Sequence, residues 1–89
     1  MLEKTIEKQV CDYAKQKGWL VYKFVSPGQR GVPDRIFLRE GSCFFIEFKA
    51  TGKKPSKLQW RKINELRDIG FDVYVIDKVH EGKIIVDAI

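Results

Sequence analysis

Eighty-nine residues, 44% of them hydrophobic and six of them Phe, suffice for one folded domain over residues 1–89; a chain this short buries only about 60–65% of its unfolded surface, so a second copy would help it. No apolar run approaches the roughly 18 residues of a membrane span and no charged-then-apolar leader is visible, so neither a membrane anchor nor an export signal is expected. The net charge of +5 is unevenly placed, with eleven Lys and Arg against four acids in residues 23–67 and two Lys against five acids in residues 68–89; a basic surface of this kind suits a polyanionic partner and plain solubility equally.

Leu2 to Lys17 reads as a helix, because Leu2, Ile6, Val10, Tyr13 and Ala14 recur at helical spacing. Lys4, Lys8, Asp12 and Lys15 fill the polar arc, whereas Glu7 falls between Ala14 and Cys11 and faces the sheet, an unusual place for a structural acid. Glu3 projects similarly but lies in the first turn, where the helix dipole accounts for it. Gly18 ends the helix, and Trp19–Val25 alternates as a first strand. The loop Ser26–Gly31 is rich in breakers and leads directly to Asp34. Gly28 and Gly31 permit backbone to approach a phosphate closely, Arg30 is suited to pair with one, and Gln29 reads as part of an ordinary mobile turn.

Asp34–Arg39 and Cys43–Ala50 read as an antiparallel pair joined by Glu40-Gly41-Ser42. In the second strand Phe44, Ile46 and Phe48 alternate with Phe45, Glu47 and Lys49, so one face is apolar and the other carries an acid and a base. Asp34 comes close to both across strands about 5 Å apart. A salt-bridged cluster on a wet sheet face is the plainest account of this trio. The order of the residues also fits hard oxygen ligands for Mg²⁺ or Mn²⁺, with a lysine to orient or deprotonate a water.

Thr51–Pro55 is a basic loop in which Lys53 and Lys54 suit phosphate contacts. Ser56-Lys57-Leu58-Gln59 has the form of a capping box opening a second helix, with Leu58, Ile63, Leu66 and Ile69 expected to pack on the sheet. Gln59 also projects into the inward arc. A side chain tied back to Ser56 is not expected to reach the site as well, so the two roles compete. Trp60 reads as core or dimer packing. Gly70 closes the helix, Phe71–Ile76 forms a further strand, and Ile84–Val86 is expected to add a short one. Cys11 and Cys43 lack metal-ligand spacing and read as buried thiols of a reducing cytoplasm; His80 stands alone on the surface.

Pro33-Asp34 followed by Glu47-Phe48-Lys49 resembles the PD-(D/E)XK nuclease signature. More narrowly, Gly31-Val32-Pro33-Asp34, Ile46-Glu47-Phe48-Lys49 and Gln59 resemble the virus-type replication-repair nuclease (VRR-NUC) family in its small stand-alone form, over about Ile6 to Val75. The resemblance implies an α/β fold with an αβββαβ core, its mixed central sheet flanked by helices. It implies that Glu7 (or Glu3 in its place), Asp34, Glu47 and the backbone carbonyl of Phe48 surround one or two Mg²⁺ or Mn²⁺, that Lys49 and Gln59 serve the attacking water, and that no organic cofactor takes part. Arg30, Lys53, Lys54 and Ser26 would contact DNA. The sequence holds no zinc finger, helix-turn-helix or aromatic platform to read bases, so DNA shape would decide the substrate. The function implied is a homodimeric endonuclease that cuts branched DNA, the four-way Holliday junction above all, in a bacterial or phage-encoded cytoplasmic protein. A less selective nuclease of flaps, nicks or single strands, and a catalytically silent DNA-binding module, are the alternatives.

Overall fold

The computed structural model describes residues 1–89. Its elements run α1 (Glu3–Gln16), β1 (Leu20–Lys23), β2 (Arg35–Arg39), β3 (Ser42–Phe48), α2 (Lys57–Asp68), β4 (Asp72–Ile76) and α3 (Val79–Ala88). The expected α/β class and αβββαβ order are present, with one helix added at the end. The strands form one sheet in the order β1-β2-β3-β4; β1 with β2 and β2 with β3 pair antiparallel, and β4 runs parallel to β3. The connections explain the change of direction. Glu40 and Gly41 take φ of 46° and 81° between the paired residues Arg39 and Ser42, a tight left-handed turn that returns the chain antiparallel. The longer crossover through α2 brings the chain back to start β4 beside the start of β3.

The alternation along β3 divides the interior in two. Phe44, Ile46 and Phe48 pack with Ile6, Val10 and Ala14 of α1, Phe37 of β2 and Val86 of α3. Phe45 meets Ile63 of α2 and Val73 of β4 on the opposite face. Trp19, just ahead of β1, sits edge-on to Phe44 at 4.9 Å, and Phe37 stacks on Phe44 at 4.6 Å.

Two expectations need correction. Ile84–Val86 belongs to α3 rather than to a strand. Consecutive β-branched residues favour extended chain locally, but Val79, Gly82 and Val86 recur at helical spacing and turn one face of α3 onto the core. Gly82 permits that docking, because a Cβ there would lie 2.6 Å from Cγ2 of Val10. The second correction concerns α2. Ile63 is buried and Leu66 half-buried, but Leu58 is 37% and Ile69 71% exposed. This helix packs on the β4 side of the sheet, and Leu58 meets the loop at Gly31 in place of the sheet.

β4 is an outer strand. The guanidinium of Arg67 donates from Nε and Nη2 to the Val73 carbonyl, at 3.1 and 2.6 Å. Trp60 borders a shallow groove on this margin with Tyr74, Ile84 and Ile85. Cys11 is buried, Cys43 is half-buried, and both are free thiols; burial pushes the Cys11 thiol up to about 11. No helix is long and apolar enough to cross a membrane.

Candidate active site

The site begins where the β2–β3 ladder stops. Arg35 pairs with Ile46, so Pro33, two residues earlier, falls opposite Phe48, two residues later. Pro33 has no N–H to contribute, and regular pairing ends there. The Phe48 N–H instead donates to Oδ2 of Asp34 at 2.8 Å. On the other side the Asp34 carbonyl accepts from the Phe24 N–H at 2.9 Å. Neighbouring strands thus hold both the main chain and the side chain of Asp34, which gives the Pro-Asp order a structural cause.

Glu47 is 1% exposed and is the one buried charged residue of the chain. A salt cluster on a wet face therefore does not describe it. Its Oε2 lies 3.2 Å from Nζ of Lys49 and accepts from Nε2 of Gln59 at 2.9 Å. Its Oε1 is buried with no hydrogen-bond partner. Gln59 reaches Glu47 while completing the capping box of α2. Ser56 Oγ accepts the Gln59 N–H at 3.1 Å, and the Ser56 N–H donates to Gln59 Oε1 at 2.9 Å. Tying Gln59 back to Ser56 therefore does not keep it from the site, because a primary amide has two ends: the oxygen serves the cap and the nitrogen reaches the carboxylate.

Burial pushes the Glu47 carboxyl up to about 7, and the charge of Asp34 adds to the effect while Lys49 opposes it. Asp34 is raised as well, first by burial; the Phe48 N–H opposes the shift, and the charges of Glu7 and Glu3 reinforce it. A buried carboxylate whose ionisation the neighbouring Asp34 charge disfavours, and which has one buried unpartnered oxygen, belongs to a donor set that a hard divalent cation satisfies. Asp34 and Glu47, with the Phe48 carbonyl, fit Mg²⁺ or Mn²⁺ on this ground. No three His, Cys, Asp or Glu side chains gather into a metal-holding group, so the expected trio of Glu7, Asp34 and Glu47 is not assembled here.

Glu7 is half-buried on the sheet side of α1, as its helical position predicts, and its Oε2 accepts from Nε of Arg35 at 2.7 Å. Glu3 is exposed, and its charge raises both Asp34 and Glu47. Sequence reasoning passed over Arg35. The available signal was strand alternation, which turns Arg35 toward α1 together with Ile46, its partner in register.

Gly31, at φ 86°, lies where a Cβ would meet the Leu58 carbonyl oxygen at 3.1 Å. The loop Ser26–Gly31 therefore rests on the first turn of α2, next to Gln59. This loop is tied down at Gln29, whose Oε1 accepts from Nζ of Lys62 at 2.8 Å and whose N–H donates to the Ser26 carbonyl at 3.0 Å. An ordinary mobile turn is thus replaced by an anchored one. Ser26 is half-buried beside Phe24, Val32 and Leu66. On the other side of the site, Thr51 Oγ1 donates to the Asp77 carbonyl at 3.0 Å and the Gly52 N–H to Asp77 Oδ2 at 2.9 Å. Arg30, Lys53 and Lys54 are exposed on these two loops and take part in no salt bridge. The structure thus brings together Asp34, Glu47, Phe48, Lys49 and Gln59, while the three exposed bases stay on the flanking loops.

An acid at the head of β2, an acid and a lysine at the end of β3 and a helix behind them make up the core of the PD-(D/E)XK nuclease class. No protein-family model matches the sequence. Over 84 residues the chain is 45% identical to "Putative nuclease p44" of Acyrthosiphon pisum secondary endosymbiont phage 1, covering 93% of this chain and 90% of that protein. A solved structure described as "VRR_NUC domain" superposes with a TM-score of 0.87 at 26% identity, over 96% of this chain and 94% of the other. The chain belongs to the VRR-NUC family of nucleases.

Proposed function

We propose that the chain is a Mg²⁺- or Mn²⁺-dependent DNA endonuclease, selective for branched DNA and above all the four-way junction, and active as a homodimer. One observation carries the catalytic part of this reading: a buried carboxylate, Glu47, with one oxygen held by Lys49 and Gln59 and the other unpartnered, beside Asp34. Asp34, Glu47 and the Phe48 carbonyl would hold the cation, which when bound polarises the scissile phosphate and offsets charge on the leaving oxygen. Lys49, half-buried against Glu47, donates to the attacking water and orients it. Gln59 keeps Glu47 from turning. A third carboxylate would come from α1. The family resemblance assigns it to Glu7, which must then leave Arg35; Glu3→Gln and Glu7→Gln compared for cation affinity decide between the two acids. Arg30, Lys53 and Lys54 present unpaired charge to the DNA backbone, with Ser26 in the same loop as Arg30.

Junction selectivity and the dimer rest on likeness to small stand-alone resolvases, and on the small core of an 89-residue chain. The test is cleavage of a labelled four-way junction beside the matched linear duplex, with Mg²⁺, with Mn²⁺ and with EDTA, for the wild type and Asp34→Asn. The expected result is paired symmetric nicks in the junction only, lost with EDTA and in the variant. Cutting of both DNAs would keep the active site and remove the junction selectivity. Binding without cutting in either metal would overturn the catalytic reading in favour of a silent DNA-binding module.

A further inference from the structure

We propose that Ser56 is a positioning residue: its backbone N–H orients the Gln59 amide, and that amide holds Oε2 of Glu47 so that only Oε1 remains free for a ligand. The inference rests on the nuclease reading for its kinetic arm alone.

The argument is one of donors and acceptors. The Ser56 N–H can only donate, so it draws the amide oxygen of Gln59, at 2.9 Å. Oε2 of Glu47 accepts, so it draws the amide nitrogen, also at 2.9 Å. Turning the amide by half a rotation would set N–H against N–H at one end and oxygen against carboxylate at the other. The Ser56 N–H therefore acts as a selector from outside the site. Ser56 is exposed and touches neither Asp34 nor Glu47 through any hydrogen bond, so its substitution does not crowd the core. Its hydroxyl has a separate role, accepting the Gln59 main-chain N–H. The two halves of the capping box, the N–H that orients the amide and the hydroxyl that serves the helix backbone alone, thus reside in different atoms of one residue.

That separation can be tested. Ser56→Ala deletes the hydroxyl and keeps the N–H. Ser56→Pro deletes both, and the observed φ of −69° is one that proline adopts. In the metal-free protein, Ser56→Ala is expected to melt earlier but to keep the wild-type chemical shifts of the Gln59 side-chain NH₂. Ser56→Pro is expected to lose those shifts, and to lower kcat about tenfold with KM unchanged. In a Gln59→Ala background Ser56→Pro should cost no further kcat. Equal amide shifts and equal kcat in the Ala and Pro variants would overturn the proposal, as would a full Ser56→Pro effect in the Gln59→Ala background. Should Ser56→Pro not fold, the wild type decides: a scalar coupling across the hydrogen bond from Ser56 ¹⁵N to Gln59 ¹³Cδ supports the proposal, and its absence sinks it. A wild type with the expected amide signals that cuts no DNA would remove the nuclease reading and leave the positioning role standing.

Discussion

On the face of the sheet that meets α1 and α3, eleven buried residues form one apolar cluster. On the face that meets α2, the corresponding cluster has three members, and a carboxylate is buried close by. Both faces are built from the same strand: Phe44, Ile46 and Phe48 serve the first, Phe45 and Glu47 the second. An ionisable group in a dry site costs stability, and here the cost is borne by a fold whose packing is concentrated on the opposite side of the same residues. Substitutions should divide accordingly, those on the α1–α3 face appearing as stability and those around Glu47 as activity.

The largest effect is expected at Glu47. Glu47→Gln should lower cleavage by about a thousandfold or more, on the scale of losing a group that stabilises transition-state charge, while circular dichroism stays native. The same variant should change the pH dependence of the metal-free protein. The folded carboxyl titrates at about 7 against an ordinary 4.5, so the folded state binds its proton more tightly than the unfolded state does. The stability this provides is complete below about 4.5 and is lost as pH rises through about 7. Melting curves should therefore fall between pH 5 and 8 in the wild type, and Glu47→Gln should flatten the decline. A wild type with no such decline would break the comparison at its polar end.

Phe44→Ala comes next, at about 3–5 kcal/mol by denaturant unfolding, since Phe44 is fully buried between Phe37, Trp19 and Tyr74. Gly82→Ala should cost about 1–3 kcal/mol, because its methyl group meets Val10 and α3 must lift; cleavage per folded molecule should hold. Ile69→Ala, on the α2 side and 71% exposed, should stay within about 0.5 kcal/mol of wild type. A large loss there would mean that the second face carries more of the fold than its buried residues account for.

Much of this arrangement was legible beforehand. The alternation of Phe44 to Lys49, the turn at Glu40-Gly41 and the Pro-Asp step fix the hairpin, and the hairpin brings Asp34 to Glu47. Less legible was anything that depended on docking. Ile84 to Val86 reads as strand until Gly82 is seen against Val10. Leu58 and Ile69 carry the right period, but periodicity gives direction from the helix axis and not the extent of the surface beneath. The Arg35–Glu7 pair joins residues 28 apart in sequence, and only the register of β2 against β3 could have suggested it. For Gln59 the pattern offers a helix cap or an inward position, and both are compatible because the two ends of its amide are an acceptor and a donor.

The Arg67 guanidinium on the Val73 carbonyl has a bearing on assembly. β4 is the outer strand beside β3, and an uncovered outer strand invites a second sheet to continue it. Here an internal side chain already occupies one of the acceptors that an incoming strand would need. Two copies joining margin to margin through β4 would have to displace a double hydrogen bond before gaining their own. The chain thereby carries a guard on this margin against continuation of its sheet through β4.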